Sequence, residues 1–541
     1  MKTPPPQSSH LPALESIESL KELGRPLPNS APAFDLRPYQ QQAVDGVFAA
    51  WAEVNRVLGV VPTGSGKNIK IAYIAARRIR AGRVLILTHR DELLDQTRDK
   101  IIRAVGLSAD KEKADDYASL ESDIVVASIQ TLSRRNRLSR FPPDHFATVI
   151  IDEAHHSVAA SYVGILERFE SAKVLGLTAT PDRGDKRNLA TYFEKVAFEI
   201  SLTELIKDRW LCPIRVKTVP LAIDIEKVAM RAGDFSDEQL AEAIEPLLHE
   251  LAAAIKEHAL ERKSLVFLPL VRTCYQFAEI LRTHGLAAEA VCGESNNRKE
   301  ILARFSSGQT RVLANSMLLT EGYDEPSIDC VVCLRPTTIR SLFAQQVGRG
   351  TRIHPGKENL LLLDFLWLSR EHNLVRPASL IAKDEVQQAE IEAQLGAAEG
   401  DLLEAEGLAS AEREAALKAR LDERRTLKGS EVDLLELASR WHAPDLLNYS
   451  PTFAWERKAL TEKQIVILQR NGVDLALVRD RGHASVILNS LFVHLEREPA
   501  TEKQKRYCRF LGHPNPRELT KRQAGRWIKE HKTQLSGTYR C

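Results

Sequence analysis

Strand-length apolar runs alternate with longer stretches whose apolar positions fall three and four apart, and this alternation fills most of the chain. The runs RVLGVV (56–61), VLILTH (84–89), DIVVAS (123–128), TVIIDEAH (148–155) and VLGLTAT (174–180) are nearly continuous in apolar residues. A strand buried on both faces needs that composition, and the helical lengths between the runs supply the crossovers of a parallel sheet. A second set, KSLVFLPL (263–270), AAEAVCG (287–293), TRVLANS (310–316) and SIDCVVCL (327–334), follows from about Leu211 and predicts a second parallel sheet. Ligands of such sheets bind beyond the carboxyl ends of the strands, so the polar residues closing each run should share one rim.

The pattern divides the chain into a Pro- and Ser-rich tail expected to be mobile (1–33), two α/β domains (34–208 and 209–375), an acidic helical linker (376–454) and a small, basic α-helical domain (455–541). Composition changes this picture little. The 541 residues can bury two or three cores, and 43% apolar with 27% charged residues is ordinary for a soluble globular protein. A net charge of +2 selects no partner by itself. Seven scattered cysteines suit a reducing, cytoplasmic setting better than a disulfide framework. Cys330 and Cys333 form a CxxC pair inside an apolar run with no second Cys/His pair nearby, so they are expected as buried strand thiols rather than zinc ligands. The opening MKTPPPQSSHLP lacks the apolar core of a secretion signal, and no run approaches the roughly 20 apolar residues of a membrane span.

Chemistry enters at Pro62, Thr63, Gly64, Ser65, Gly66, Lys67 and Asn68, between the first apolar run and a helical pattern beginning at Ile69. Glycines there let backbone N–H groups converge on phosphate oxygens, the helix points its positive end at the same place, and Lys67 adds a charge for the β- and γ-phosphates. Such loops carry Ser or Thr after the lysine to ligate Mg²⁺; this chain has Asn68, whose amide oxygen can approach a hard cation but is bulkier. Eighty-five residues beyond Lys67, an apolar strand delivers Asp152 and Glu153 together at its end. The aspartate suits Mg²⁺ and the glutamate suits polarising the attacking water. Arg37 and Gln40 stand just before the helix leading into the loop; the amide of Gln40 could read an adenine edge or serve a capping cluster.

PTGSGK, DEAH and the strand-terminal Thr178-Ala179-Thr180 resemble motifs I, II and III of the superfamily 2 helicases. The resemblance spans about residues 34–368 and implies two tandem RecA-like domains sharing one ATP, with Gln40 as the adenine-reading glutamine. It places Thr88, His89 and Arg90, then Ser128, Gln130 and Thr131, on the nucleic-acid backbone. Gln345-Gln346-Val347-Gly348-Arg349-Gly350-Thr351-Arg352 resembles motif VI, implying that Gln345, Arg349 and Arg352 act on the transferring phosphate. Two arginines three apart are expected to share a helical face. Thr320, Gly322 and Asp324 match motif V, with Thr320 toward nucleic acid and Gly322 and Asp324 toward the nucleotide. The form of motif VI is similar to that of the RadD-like and XPB-like group.

Beyond Asn373 the chain turns acidic, with eight carboxylates and no basic residue from Asp384 to Glu406, which predicts a helical or hairpin spacer broken near Gly396, Gly400 and Gly407, or a coiled coil that docks a protein partner. The end of the chain repeats itself, LTEKQIVILQRNGVD at Leu460 and ATEKQKRYCRFLGHP at Ala500, each opening with a helix cap. The second copy is basic, and Lys505, Arg506, Lys521 and Arg526 are candidate phosphate contacts. Tyr507, Phe510 and Trp527 are expected mainly as the core of this small unit, with base stacking as the alternative. Taken together the sequence predicts an ATP- and Mg²⁺-dependent helicase or translocase on DNA. The alternatives are an RNA-directed motor and a nucleotide-dependent clamp whose turnover Asn68 impairs.

Overall fold

Pro38 at the first helical position and reciprocal bonds between Arg37 and Gln40 start helix α1 (Pro38–Trp51), which buries Val44, Val47, Ala50 and Trp51 at helical spacing. In the computed structural model the described residues run from 35 to 531, apart from 90, 155–159, 180–188, 232, 294, 321, 369–373, 383, 396–398, 428–437, 439–442, 444–445, 447–448, 472, 498, 517, 521–522, 526 and 529–530. The N-terminal tail and the candidates Arg90, Thr180, Lys521 and Arg526 therefore lie outside the described residues. The chain forms two compact units: residues up to 182, 196–212 and 224–360 make the first, and 183–195, 213–223 and 361–541 the second.

The first unit holds a sheet of β1 (Arg56–Val60), β2 (Arg83–Thr88), β3 (Asp110–Glu112), β4 (Ile124–Ser128), β5 (Phe146–Asp152), β6 (Lys173–Thr178) and β7 (Lys195–Glu199), in the order β3-β4-β2-β5-β6-β1-β7. The pairs β1–β6, β6–β5, β5–β2, β2–β4 and β4–β3 are all parallel. Its inner strands β2, β4, β5 and β6 follow the four runs predicted for them within a few residues. Helices α2 (Lys67–Arg78) and α3 (Asp91–Val105) join α1 over one apolar core that includes Val57, Ile71, Ile74, Ile86, Ile101 and Val126. This layering sets the loop after β1 and the end of β5 on one rim, because β6 alone separates the two strands.

The same unit contains β11 (Ser264–Phe267), β12 (Ala288–Val291), β13 (Val312–Asn315) and β14 (Cys330–Cys333), ordered β12-β13-β11-β14 and parallel throughout. These are the four runs predicted for the second sheet. Cys330 and Cys333 are buried in β14, as expected for strand thiols. A short hairpin, β9 (Met230–Arg231) and β10 (Asp234–Phe235), is fastened by Arg335, whose guanidinium meets Asp234 at 2.8 Å and Asp237 at 2.8 Å.

In the second unit, β8 (Ile214–Asp224) lies between β15 (Leu360–Leu368) and β16 (Glu399–Asp401), the latter antiparallel to it. β16 falls in the predicted spacer, where the break foreseen at Gly400 is a strand. The flanking helices Glu385–Leu395 and Leu402–Leu427 pack on each other as a hairpin burying Ile391, Leu402, Ala405 and Ala409, and the second runs through Gly407 without a break. The helical hairpin expected for the spacer is thus present, held by the pairing of β16 and by the packing of its two helices. The repeat copies have separate cores, one around Leu468, Ile487 and Leu491 and one around Ala500, Cys508 and Ala524. Among the described residues no helix is long and apolar enough to cross a membrane.

Candidate functional site

The loop from Pro62 to Lys67 is built on two left-handed glycines, Gly64 at φ 89° and Gly66 at φ 77°, and Gly66 directly precedes α2. A Cβ at Gly66 would stand 2.5 Å from Nε2 of Gln40. The loop closes on itself through Ser65, whose Oγ donates to Pro62 O at 2.7 Å. It is tied to the sheet where Val61 N donates to Thr178 O at 2.9 Å. Three side chains then converge on one acceptor, the Ser65 carbonyl: Tyr39 Oη donates at 2.8 Å, Lys70 Nζ at 3.0 Å and Gln40 Nε2 at 3.2 Å. Gln40 Oε1 accepts from Arg37 N at 3.0 Å, so each end of the amide makes one bond, one to the loop and one to the helix cap. The Arg37 guanidinium lies 4.9 Å over the ring of Trp210.

Lys67 lies at the centre. Its ammonium is 2.7 Å from Asp152 Oδ1 and also pairs with Glu153 Oε1. Burial would lower the Lys67 pKa, but the two carboxylates outweigh it and push it up. Asp152, 4% exposed, is raised by burial and by the charge of Glu153, against the pull of Lys67. Glu153 has φ 55°, a left-handed conformation costing a non-glycine residue about 1–2 kcal/mol. Its N–H donates to Asp152 Oδ1 at 3.0 Å. The strained turn at the end of β5 thus presents both carboxylates to the lysine.

Against this rim stands the segment that follows β14. Helix α4 (Arg340–Gly348) ends beside the loop: a Cβ at Gly348 would collide with Thr63, and one at Gly64 would meet Thr351 Oγ1 at 2.9 Å. Cys212 N donates to Thr351 O at 2.9 Å, holding that turn in place. Because the helix stops at Gly348, Arg349 is its C-cap and Arg352 lies beyond it. The two arginines therefore do not share a helical face as expected. They converge nonetheless, since Nη1 of Arg349 and of Arg352 donate to Tyr323 O at 2.8 Å and 3.2 Å. Arg352 also meets Asp324 Oδ1 at 2.9 Å, and Lys100 of α3 meets Asp324 Oδ2 at 3.4 Å. Burial works to raise the Asp324 carboxyl, but these cations hold it low. Asp324 thus positions Arg352, and Gly322 allows the turn before it with φ 76°. Gln345 is buried, and its Nε2 has no hydrogen-bond partner among the described residues.

The expected nucleic-acid residues divide by burial. Thr88, Ser128, Thr131 and Thr320 are buried, and Thr131 Oγ1 accepts from Ala114 N at 3.2 Å, so these hydroxyls lie beneath the surface. Gln130 is exposed and donates to His89 O at 2.9 Å, which leaves those two at the rim. Lys505 and Arg506 lie on the helix Glu502–Phe510 of the last unit.

Sequence reasoning missed Lys70. It is wholly buried, and burial followed by the charges of Lys67 and Arg37 pushes its pKa down to about 7. The signal was a lysine on the apolar stripe of α2, one residue before Ile71 and four before Ile74. The seam residues Thr63, Gly348 and Thr351 were quoted for their motifs, but sequence gave no sign that they touch.

The residues present fit ATP and Mg²⁺: a glycine cradle without room for a Cβ, a lysine already balancing two acidic groups, and a buried Gln345 Nε2 without a partner among the described residues. Residues 33–183 match the family described as Type III restriction enzyme, res subunit, and residues 242–354 match the helicase conserved C-terminal domain. The chain is 32% identical over 384 residues to the putative ATP-dependent helicase IRC3 of Saccharomyces cerevisiae, covering 66% of this chain and 55% of that relative. The chain thus spans about half the length of that protein. It is 23% identical to the DNA 3'-5' translocase XPB2 of Sulfurisphaera tokodaii, over 62% of this chain and 83% of the relative. In fold it is similar to the ATP-dependent Type ISP restriction-modification enzyme LlaBIII bound to DNA, with a TM-score of 0.52 and 14% identity over 92% of this chain and 43% of that one.

Proposed function

From the premise that this chain carries the paired domains of a superfamily 2 helicase core, we propose that it is a DNA-dependent ATPase that moves along or remodels DNA. The observation that carries the reading is Lys67 held between Asp152 and Glu153, with the turn around Gly348 and Thr351 against the same loop. Lys67 and the loop N–H groups bind the phosphates, and Glu153 orients the attacking water and takes its proton. Arg349 and Arg352, released from Tyr323 O and Asp324, neutralise charge on the transferring phosphate, and Gln345 supplies a donor beside them. Asn68 and Asp152 would hold Mg²⁺, which supplies further positive charge to the triphosphate. Gln130, His89 and the basic C-terminal helix grip the nucleic-acid backbone, which makes movement largely independent of sequence. The motif VI form and the similarity to an XPB-type translocase favour DNA over RNA. Buried thiols with no disulfide among the described residues suit a reducing compartment such as the cytoplasm.

The test is ATP turnover by the full chain with matched single- and double-stranded DNA and RNA. DNA is expected to stimulate most, and Lys67→Ala is expected to lower stimulated turnover by about 100-fold or more. Full turnover by Lys67→Ala refutes the site, and preferential stimulation by RNA moves the substrate to RNA. Nucleotide-dependent DNA affinity without phosphate release identifies a clamp, the reading that Asn68 would favour.

A further inference from the structure

The two repeat copies begin alike and differ on their outer face. Thr461 and Thr501 each cap a nine-residue helix and exchange bonds with a glutamine, Gln464 and Gln504, three residues on. In the first copy Ile467 is partly buried against the core formed by Leu468, Val473 and Ile487. Tyr507 occupies the equivalent position forty residues later and is 37% exposed, while Phe510 is 73% exposed. Their rings stack on each other, with centroids 6.1 Å apart and planes 22° apart. The core of this copy closes without them, through Ala500, Cys508 and Ala524 with Leu519, Trp527 and Ile528 alongside. Of the three aromatics expected in that core, only Trp527 is there.

The exposed pair has cations around it. Lys503, Arg506, Tyr507 and Phe510 fall at spacings of three, four and seven, which place them on one helix face, and Arg509 is exposed beside them. Two outward rings with positive charge at their margin match the chemistry of an unpaired base and its flanking phosphates. A duplex keeps its base faces stacked inside and offers an approaching helix phosphates, sugars and base edges, so it presents no free base face to the two rings.

We propose that Tyr507 and Phe510 form a stacking platform for unpaired bases of single-stranded nucleic acid, with Lys503, Arg506 and Arg509 on the adjoining phosphates. The platform rests on the reading that this chain acts on nucleic acid, but its occupancy requires no ATP hydrolysis.

The experiment uses the full chain without nucleotide and measures fluorescence anisotropy with a labelled oligothymidine and an abasic strand of equal length. Phe510→Ala and Tyr507→Ala are expected to weaken oligothymidine binding about fivefold or more while leaving the abasic strand unchanged. Phe510→Trp is expected to retain the preference. Arg506→Ala is expected to weaken both strands and to flatten the salt dependence. Unchanged affinity, or equal losses on both strands, overturns the platform. A change in sedimentation of Phe510→Ala with base preference intact also overturns it and marks the face as a contact between copies. Failure of the wild-type chain to bind either strand refutes the nucleic-acid reading itself, whereas binding that ignores the two rings refutes only the platform.

Discussion

Lys70 is a buried cation whose nearest charges, Lys67 and Arg37, share its sign. A depressed lysine pKa means that the folded chain releases the proton near pH 7, while the unfolded chain keeps it to about 10.5. Between those values the unfolded state binds more protons, so stability rises with pH; below pH 7 the penalty is fully present, and above 10.5 it is gone. Lys70→Met is expected to flatten the denaturation midpoint between pH 7 and 10 and to stabilise the protein at pH 7 by on the order of 2 kcal/mol, net of the lost bond to Ser65. Urea titrations across that range check both. Asn68 is the second single-residue question, because it is the second residue of α2, directly after Lys67, where a hydroxyl is usual. Asn68→Thr is expected to raise the maximal rate severalfold and to lower the Mg²⁺ concentration giving half of it, measured by phosphate release at varied metal.

At the scale of elements, the end of α4 meets the glycine loop, so the segment that matches the helicase conserved C-terminal domain touches the loop at Thr63. Gly348→Ala would drive a methyl group into Thr63, and neither backbone can retreat without opening the seam. Nucleotide affinity is expected to survive while kcat falls about tenfold or more, a split resolved by binding and turnover assays on one preparation. The sequence made the strands legible, because buried parallel strands must be apolar on both faces. It hid β3, whose residues Asp110, Lys111 and Glu112 follow no apolar pattern and become a strand only by pairing with β4. Glu112 is fully buried there because Arg137 and Arg140 both reach it, a long-range pairing that no local period announces. The loop, the acidic pair and the arginines were likewise readable from type and spacing. What was not readable was their resting geometry, since Arg349 and Arg352 meet at Tyr323 O through a turn rather than along a helix.

For the whole molecule, the division into units does not follow the order of the chain. Residues 183–195 and 213–223 belong with 361–541, although their flanking segments belong to the first unit. Ending the chain at Leu360 would remove both neighbours of β8, namely β15 and β16, and leave eleven apolar-rich residues with unmet backbone groups. That truncation is expected to be insoluble. Ending it before Ala500 removes only the last copy with its own small core, and is expected to leave a soluble protein with unaltered basal ATP turnover. Solubility and thermal melts of the two truncations check the difference. Each passage of the backbone from one unit to the other is also a stitch: thermal melts should show the two units losing structure together, and no single proteolytic cut ahead of Ala500 should release one unit intact from the other.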